Sequence, residues 1–150
     1  MAALYGKNFT DAHVNEPVKP YEQGELAGRV RMLYDEYELD GAVLALNDTI
    51  DIGYLPKGAR VVGAWISIPA SLGTGGILDL GWASNGTESA DADGLVNGCD
   101  AGGQAAFLSM TVEPGALVKF SAETLIQLKC DEASSATSGT VKACVLYVMD

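Results

Sequence analysis

The sequence predicts an all-β protein, a roughly eight-stranded jelly-roll-like sandwich with an extended N-terminal arm. Three observations carry that prediction. Ile50, Ile52 and Tyr54 alternate with Thr49, Asp51 and Gly53, and after Leu55-Pro56-Lys57-Gly58 a second run places Val62, Ala64, Ile66 and Ile68 on one face. Period-2 alternation interrupted by a Pro-Gly turn signals two half-buried strands. Beyond residue 40 no window repeats apolar residues at helical spacing, so helices have no amphipathic face to bury. Strand-like segments recur at intervals of about 8–12 residues, which suits a sandwich or barrel.

Residues 1–25 stand apart. Pro17 and Pro20 and several charges sit among isolated apolar residues, with no period linking them. Such a segment buries too little surface alone to offset its ordering entropy, so residues 1–25 are either a frayed tail or an extended arm that orders against a partner, and the spaced aromatics favour the arm. Residues 26–150 are expected to form one β-sandwich.

From Arg29, Val30, Met32 and Tyr34 alternate with Arg31, Leu33 and Asp35 up to a turn at Gly41. Ala42–Leu46 is a short apolar run. The two strands described above follow, then a Gly-rich turn over 71–76 and a strand over 77–83 with Leu78, Leu80 and Trp82 inward. Residues 84–105 read as a long polar loop of little β propensity. Leu108, Met110 and Val112 mark another strand, Leu117–Phe120 a short one, and Ile126 and Leu128 the next. Val141–Val148 is apolar on both faces, as in a central or interface strand. An eight-stranded jelly roll fits this order, with immunoglobulin-like topology as the alternative.

Composition narrows the function. Nine Lys and Arg against 20 Asp and Glu give a formal net charge of −11, and the cations are scattered along the chain. That balance repels phosphate backbones and anionic membranes, so neither nucleic acid nor membrane is an expected partner. Cys99, Cys130 and Cys144 form an odd set without C-x-x-C spacing, and a hairpin joining the last two strands keeps Cys130 and Cys144 apart. Buried free thiols are expected. The single histidine, His13, lies in the arm and supplies neither a metal cluster nor a catalytic triad. Ser71–Gly76 lacks the Gly-Lys-Ser/Thr ending of a phosphate loop, and Asp91-Ala92-Asp93-Gly94 fails the spacing of a calcium loop. No enzyme activity, cofactor or metal is expected.

Leu55-Pro56-Lys57-Gly58-Ala59-Arg60-Val61 together with Gly76-Ile77-Leu78-Asp79-Leu80-Gly81 resembles the small jelly-roll capsid decoration (cement) proteins of tailed bacteriophages. The resemblance covers residues 40–150 as a style of pattern. It implies a non-enzymatic virion protein on the outside of the head, bound to the major capsid protein and bridging its subunits, commonly as a homotrimer. Tyr5, Phe9, Val14 and Tyr21 of the arm are the candidate anchors. Trp65, which alternation turns away from Ile66, is the candidate interface residue on the sandwich. The alternative is a carbohydrate-recognition jelly roll of a tail or fibre, with Trp65 or Trp82 as a sugar platform.

Overall fold

A computed structural model describes residues 28–41, 43–68, 76–100, 106–110, 112 and 115–149. Eight strands run in chain order: β1 (Arg31–Asp40), β2 (Thr49–Leu55), β3 (Ala59–Ile68), β4 (Ile77–Trp82), β5 (Asp91–Asp100), β6 (Ala106–Ser109), β7 (Thr124–Cys130) and β8 (Ser138–Met149). They form two four-stranded sheets, ordered β1-β8-β3-β6 and β2-β7-β4-β5, and every strand pairing is antiparallel. Consecutive strands from β1 to β4 alternate between the sheets, and β8 returns to lie between β1 and β3. This is the winding of a jelly roll, as the sequence predicts.

Apolar residues of both inner faces meet in one core. Leu55, Val61, Ile66, Ile68, Leu78, Leu80, Leu95, Val96, Phe120, Ile126 and Leu128 are fully buried there. Trp82 falls inward as its alternation requires, its ring edge-on to Phe120 at 5.3 Å between centroids. Burying an aromatic side chain such as Phe120 stabilises by about 1.5–3 kcal/mol. β7 alternates buried and half-buried residues along its whole length, which fits an interior strand with one face on the core.

Two β-bulges correct the expected side-chain directions. The β2–β7 register shifts between Asp51 and Gly53, where Gly53 adopts a φ of 144°. Ile52 points into the core, but Tyr54 is turned out to solvent and Leu55 goes in. The β3–β8 register shifts between Val61 and Gly63, so Val61 is buried and Val62 is exposed. One extra residue inverts every side chain on one side of it, which strict alternation cannot anticipate.

Residues 84–105 are not a long loop, because β5 occupies Asp91–Asp100 and pairs with β4. Its partners are Leu78↔Cys99, Leu80↔Val96 and Trp82↔Asp91, so two-residue steps on β4 face steps of three and then five on β5. The surplus erases the alternation. Close approach replaces it: a Cβ on Gly81 would lie 1.9 Å from the Asp91 carbonyl oxygen, and one on Gly94 would lie 2.4 Å from the Trp82 ring. Residues 83–90 connect the two strands as a hydrogen-bonded turn. Asn85 Oδ1 accepts from the amides of Thr87 (2.9 Å) and Glu88 (2.7 Å), and the Trp82 indole donates to the Ser89 carbonyl at 3.0 Å.

Other segments also differ from what their sequence suggests. Residues 43–46 form no strand; Leu44 instead plugs the core, with its amide bonded to the Ser134 hydroxyl at 3.1 Å. Leu117–Phe120 contributes only an isolated bridge, Arg60↔Lys119. β6 ends at Ser109, short of Val112, although the Met110 amide still donates to the Ala64 carbonyl at 2.8 Å. β7 and β8 lie in opposite sheets and form no hairpin. Cys99, Cys130 and Cys144 are nevertheless free and buried, and burial raises all three thiols, Cys99 to about 11. Of the Gly-rich turn at 71–76 only Gly76 is among the described residues, and the whole of the 1–25 arm lies outside them.

Gly81→Ala should therefore destabilise by about 3 kcal/mol or more, because the facing backbone cannot yield. Gly98→Ala, at a φ of 71° with nothing within 4 Å of its Cβ, should cost about 1–2 kcal/mol. Urea denaturation of the two variants checks the order.

Asp79 supplies a second prediction. Its carboxylate is buried beside β5 and accepts the Gly98 amide at 2.7 Å, and desolvation raises its pKa above 3.8 despite that bond. A raised carboxylate favours the folded state most while protonated. That contribution is lost as pH climbs from 3.8 through the raised value, leaving a constant cost at neutral pH. Asp79→Asn keeps the acceptor and removes the charge. Its melting temperature at pH 7 should equal the parent's or exceed it by up to about 3 °C, with the gap closing towards pH 4. A pH-independent loss of stability would show that the charge is compensated in place.

Candidate interaction surface

The outer face of an antiparallel sheet ordinarily carries polar side chains when water covers it. The outer face of β1-β8-β3-β6 does not follow that rule. Val30, Met32 and Tyr34, on and just ahead of β1, are 56%, 64% and 41% exposed, and Phe107 of β6 is 64% exposed. Register explains why they share a face. Tyr34 pairs with Cys144, Cys144 with Trp65, and Trp65 with Ser109, while Phe107 lies diagonally from Trp65 beside Ser67. Met32 pairs with Leu146, which pairs with Gly63, one row away.

Three aromatic rings run across this sheet. Trp65 lies between the others, its centroid 6.1 Å from Tyr34 at an interplanar angle of 51° and 5.5 Å from Phe107 at 33°. Tilted pairs at these distances favour one another electrostatically beyond simple area burial. Ala143 and Val145 belong to the core, so alternation turns Cys144 to the outer face, where it is nonetheless fully buried in the row between Tyr34 and Trp65. Desolvation raises its thiol and keeps it protonated, so it packs as a small apolar residue.

A polar rim borders the row. The Tyr34 hydroxyl donates to Glu36 at 3.1 Å, and Lys142 lies 3.7 Å from the same carboxylate. Partial desolvation, then the adjacent Glu36 charge, raise the Tyr34 pKa and keep the hydroxyl a donor. Among the described residues β1 is also an edge strand, with no strand paired along its other side. Natural sheets blunt such edges with charge, and Asp35, Glu36 and Glu38 supply it here.

Trp65 therefore sits in the middle of the exposed apolar face, half-buried by its aromatic neighbours. Tyr34 and Phe107 were not singled out by sequence. The signal available for Tyr34 was the apolar set Val30-Met32-Tyr34, which points outward while Leu33 and Leu39 point in. Nothing in the short β6 segment marked Phe107. Tyr5, Phe9, Val14 and Tyr21 lie outside the described residues. Among the described residues no group of three or more His, Cys, Asp or Glu is placed to hold a metal ion.

No protein-family model and no curated protein matches the chain. Solved structures do. A chain from the capsid of Ralstonia phage GP4 superposes with a TM-score of 0.66 at 20% identity, covering 82% of this chain and 86% of that one. A chain from the cyanophage Pam1 capsid asymmetric unit gives 0.66 at 19% identity over 100% of both chains. A chain from the acid-stable capsid of Helicobacter pylori bacteriophage KHP30 gives 0.51 at 14% identity over 80% and 87%. The jelly roll described above is thus a fold that this chain shares with chains of phage capsid structures.

Proposed function

We propose that this chain is a non-enzymatic structural protein of a phage virion, a decoration or cement protein that binds the outer surface of the head and ties neighbouring major capsid subunits together. The observation that carries the reading is the apolar face of Tyr34, Trp65 and Phe107 on a fold shared with chains of phage capsids. A face of that kind costs solubility unless another protein covers it. Its occupant is a second copy of the chain, giving a small closed oligomer such as a trimer. A sugar platform is the weaker reading, since Tyr34 and Phe107 flank both sides of the Trp65 ring and Trp82 is buried.

The arm supports the same function. Residues 1–25 carry Tyr5, Phe9, Val14 and Tyr21 on about 25 residues of chain, which span up to roughly 90 Å when extended. That length reaches well past one sandwich to a neighbouring capsid subunit. Pro17 and Pro20 restrict the free chain and lower the entropy lost on docking.

Two outcomes follow. Phe107→Ser combined with Met32→Ser should leave the melting temperature within about 2 °C, both side chains being exposed, yet shift light scattering to a 15.6 kDa monomer. A parent protein that is itself monomeric at high micromolar concentration would contradict self-association. Deleting residues 1–24 should leave a folded sandwich but weaken binding to undecorated heads at least tenfold, since each aromatic anchor is worth about 1.5–3 kcal/mol. Unchanged binding would reduce the arm to a tail.

A further inference from the structure

The sequence scatters its cations, but the fold does not. β1 and β3 start at the same end of the sandwich, because Arg31 pairs with Tyr147 and Tyr147 with Val61. The β2–β3 turn holds Lys57 at that end. Arg60 bridges to Lys119 and also donates to the Leu117 carbonyl at 3.3 Å. Arg29, Arg31, Lys57, Arg60 and Lys119 thus gather at one end, five of the nine Lys and Arg in the chain. All but Arg60 are well exposed.

The opposite end is acidic. Glu38, Asp48, Asp100, Asp131 and Glu132 lie at or beyond the far ends of β1, β2, β5 and β7, with Lys129 and Lys142 as the cations nearby. The Lys129 ammonium lies 3.6 Å from Asp131, and Lys142 lies 3.7 Å from Glu36. Five of the seven described cations thus lie at one end of the strand axis of a protein of net charge −11.

Two further features coincide with the basic end. A notch of about 510 Å³ opens there between Lys57 and Lys119, lined also by Gly58, Phe120 and Ser121. The described part of β1 also starts at this end, just after Val30. Glu88, Asp91 and Glu123 share the end, Asp91 facing Trp82 across β4 and β5. The Glu88 carboxylate is held by the Ser121 amide at 3.0 Å, by the Ser121 hydroxyl and by Asn85, and these bonds lower its pKa.

We propose that this basic end is the docking end and that it recognises a carboxylate-rich protein surface, with an acidic side chain of the partner seated in the notch between Lys57 and Lys119. The proposal rests on the decoration reading and adds the orientation of the sandwich and the chemistry of its partner. Charge complementarity argues for it: an acidic protein meets an acidic surface with least repulsion at the end where its cations gather, which steers the encounter. The cations share one end only, and nucleic acid would meet repulsion from the rest of the molecule.

Two measurements test it. In the first, association with undecorated heads is timed at low and high salt. Lys57→Glu with Lys119→Glu should slow association at least tenfold at low salt and flatten the salt dependence, while Lys129→Glu with Lys142→Glu should change it less than threefold. Equal effects of the two pairs, or none from the first, would overturn the proposal. In the second, amide shifts of the full chain are followed by NMR with poly-L-glutamate and with duplex DNA, without heads. Shifts with polyglutamate confined to Lys57, Gly58 and 115–121, and abolished by salt, support it. Stronger shifts with DNA would overturn it in favour of phosphate, and salt-sensitive self-association without a ligand would assign the basic end to a second copy. If the parent fails to bind heads, the decoration reading falls, and the polyglutamate titration still decides the chemistry of the basic end.

Discussion

The pairing of β8 with both β1 and β3 is the constraint on which the rest of this molecule depends. It holds β1 in a ten-residue register on one side and β3 in a bulged register on the other. On the inner side it delivers Val141, Ala143 and Val145 to the core. On the outer side it sets Cys144 between Tyr34 and Trp65, and so builds the apolar row. The same register stacks the starts of β1 and β3 at one end, which is why cations far apart in sequence become neighbours. Core, interaction face and the gathering of cations are three consequences of one set of strand pairings.

A central strand buried on both faces is a costly way to spend sequence unless both faces are covered. The inner face of β8 is covered by the second sheet. Its outer face is only half covered, since Trp65 and Tyr34 shield Cys144 but remain partly in water with Phe107 and Met32. Among the described residues, the core is closed while the outer face of this sheet keeps apolar side chains in water. That imbalance, more than any single residue, is what the proposed decoration role rests on.

The fold was legible wherever alternation was undisturbed. Val141–Val148 announced a central strand because both faces were apolar, and Leu78, Leu80 and Trp82 announced their inward face. Alternation failed at Tyr54 and Val62, where bulges at Asp51/Gly53 and Val61/Gly63 each flip the pattern by one residue. It failed completely for β5, whose conformation is imposed by close backbone packing at Gly81 and Gly94 and not by local propensity. Those glycines are visible in the sequence, but what lies against them is a tertiary fact. Of the candidate surface, Trp65 was legible from its position opposite Ile66. Tyr34, Phe107 and the basic end were not, because they depend on which strands become neighbours.

The central claim, that the apolar face exists to be covered within a phage head, is tested most directly by a cryo-electron microscopy reconstruction of the virion at side-chain resolution. The account predicts this sandwich on the exterior of the head, in many symmetry-related copies, with Trp65 and Phe107 buried against another protein chain. A head that lacks the chain, or one that carries it with the Tyr34–Trp65–Phe107 row facing solvent, would contradict it.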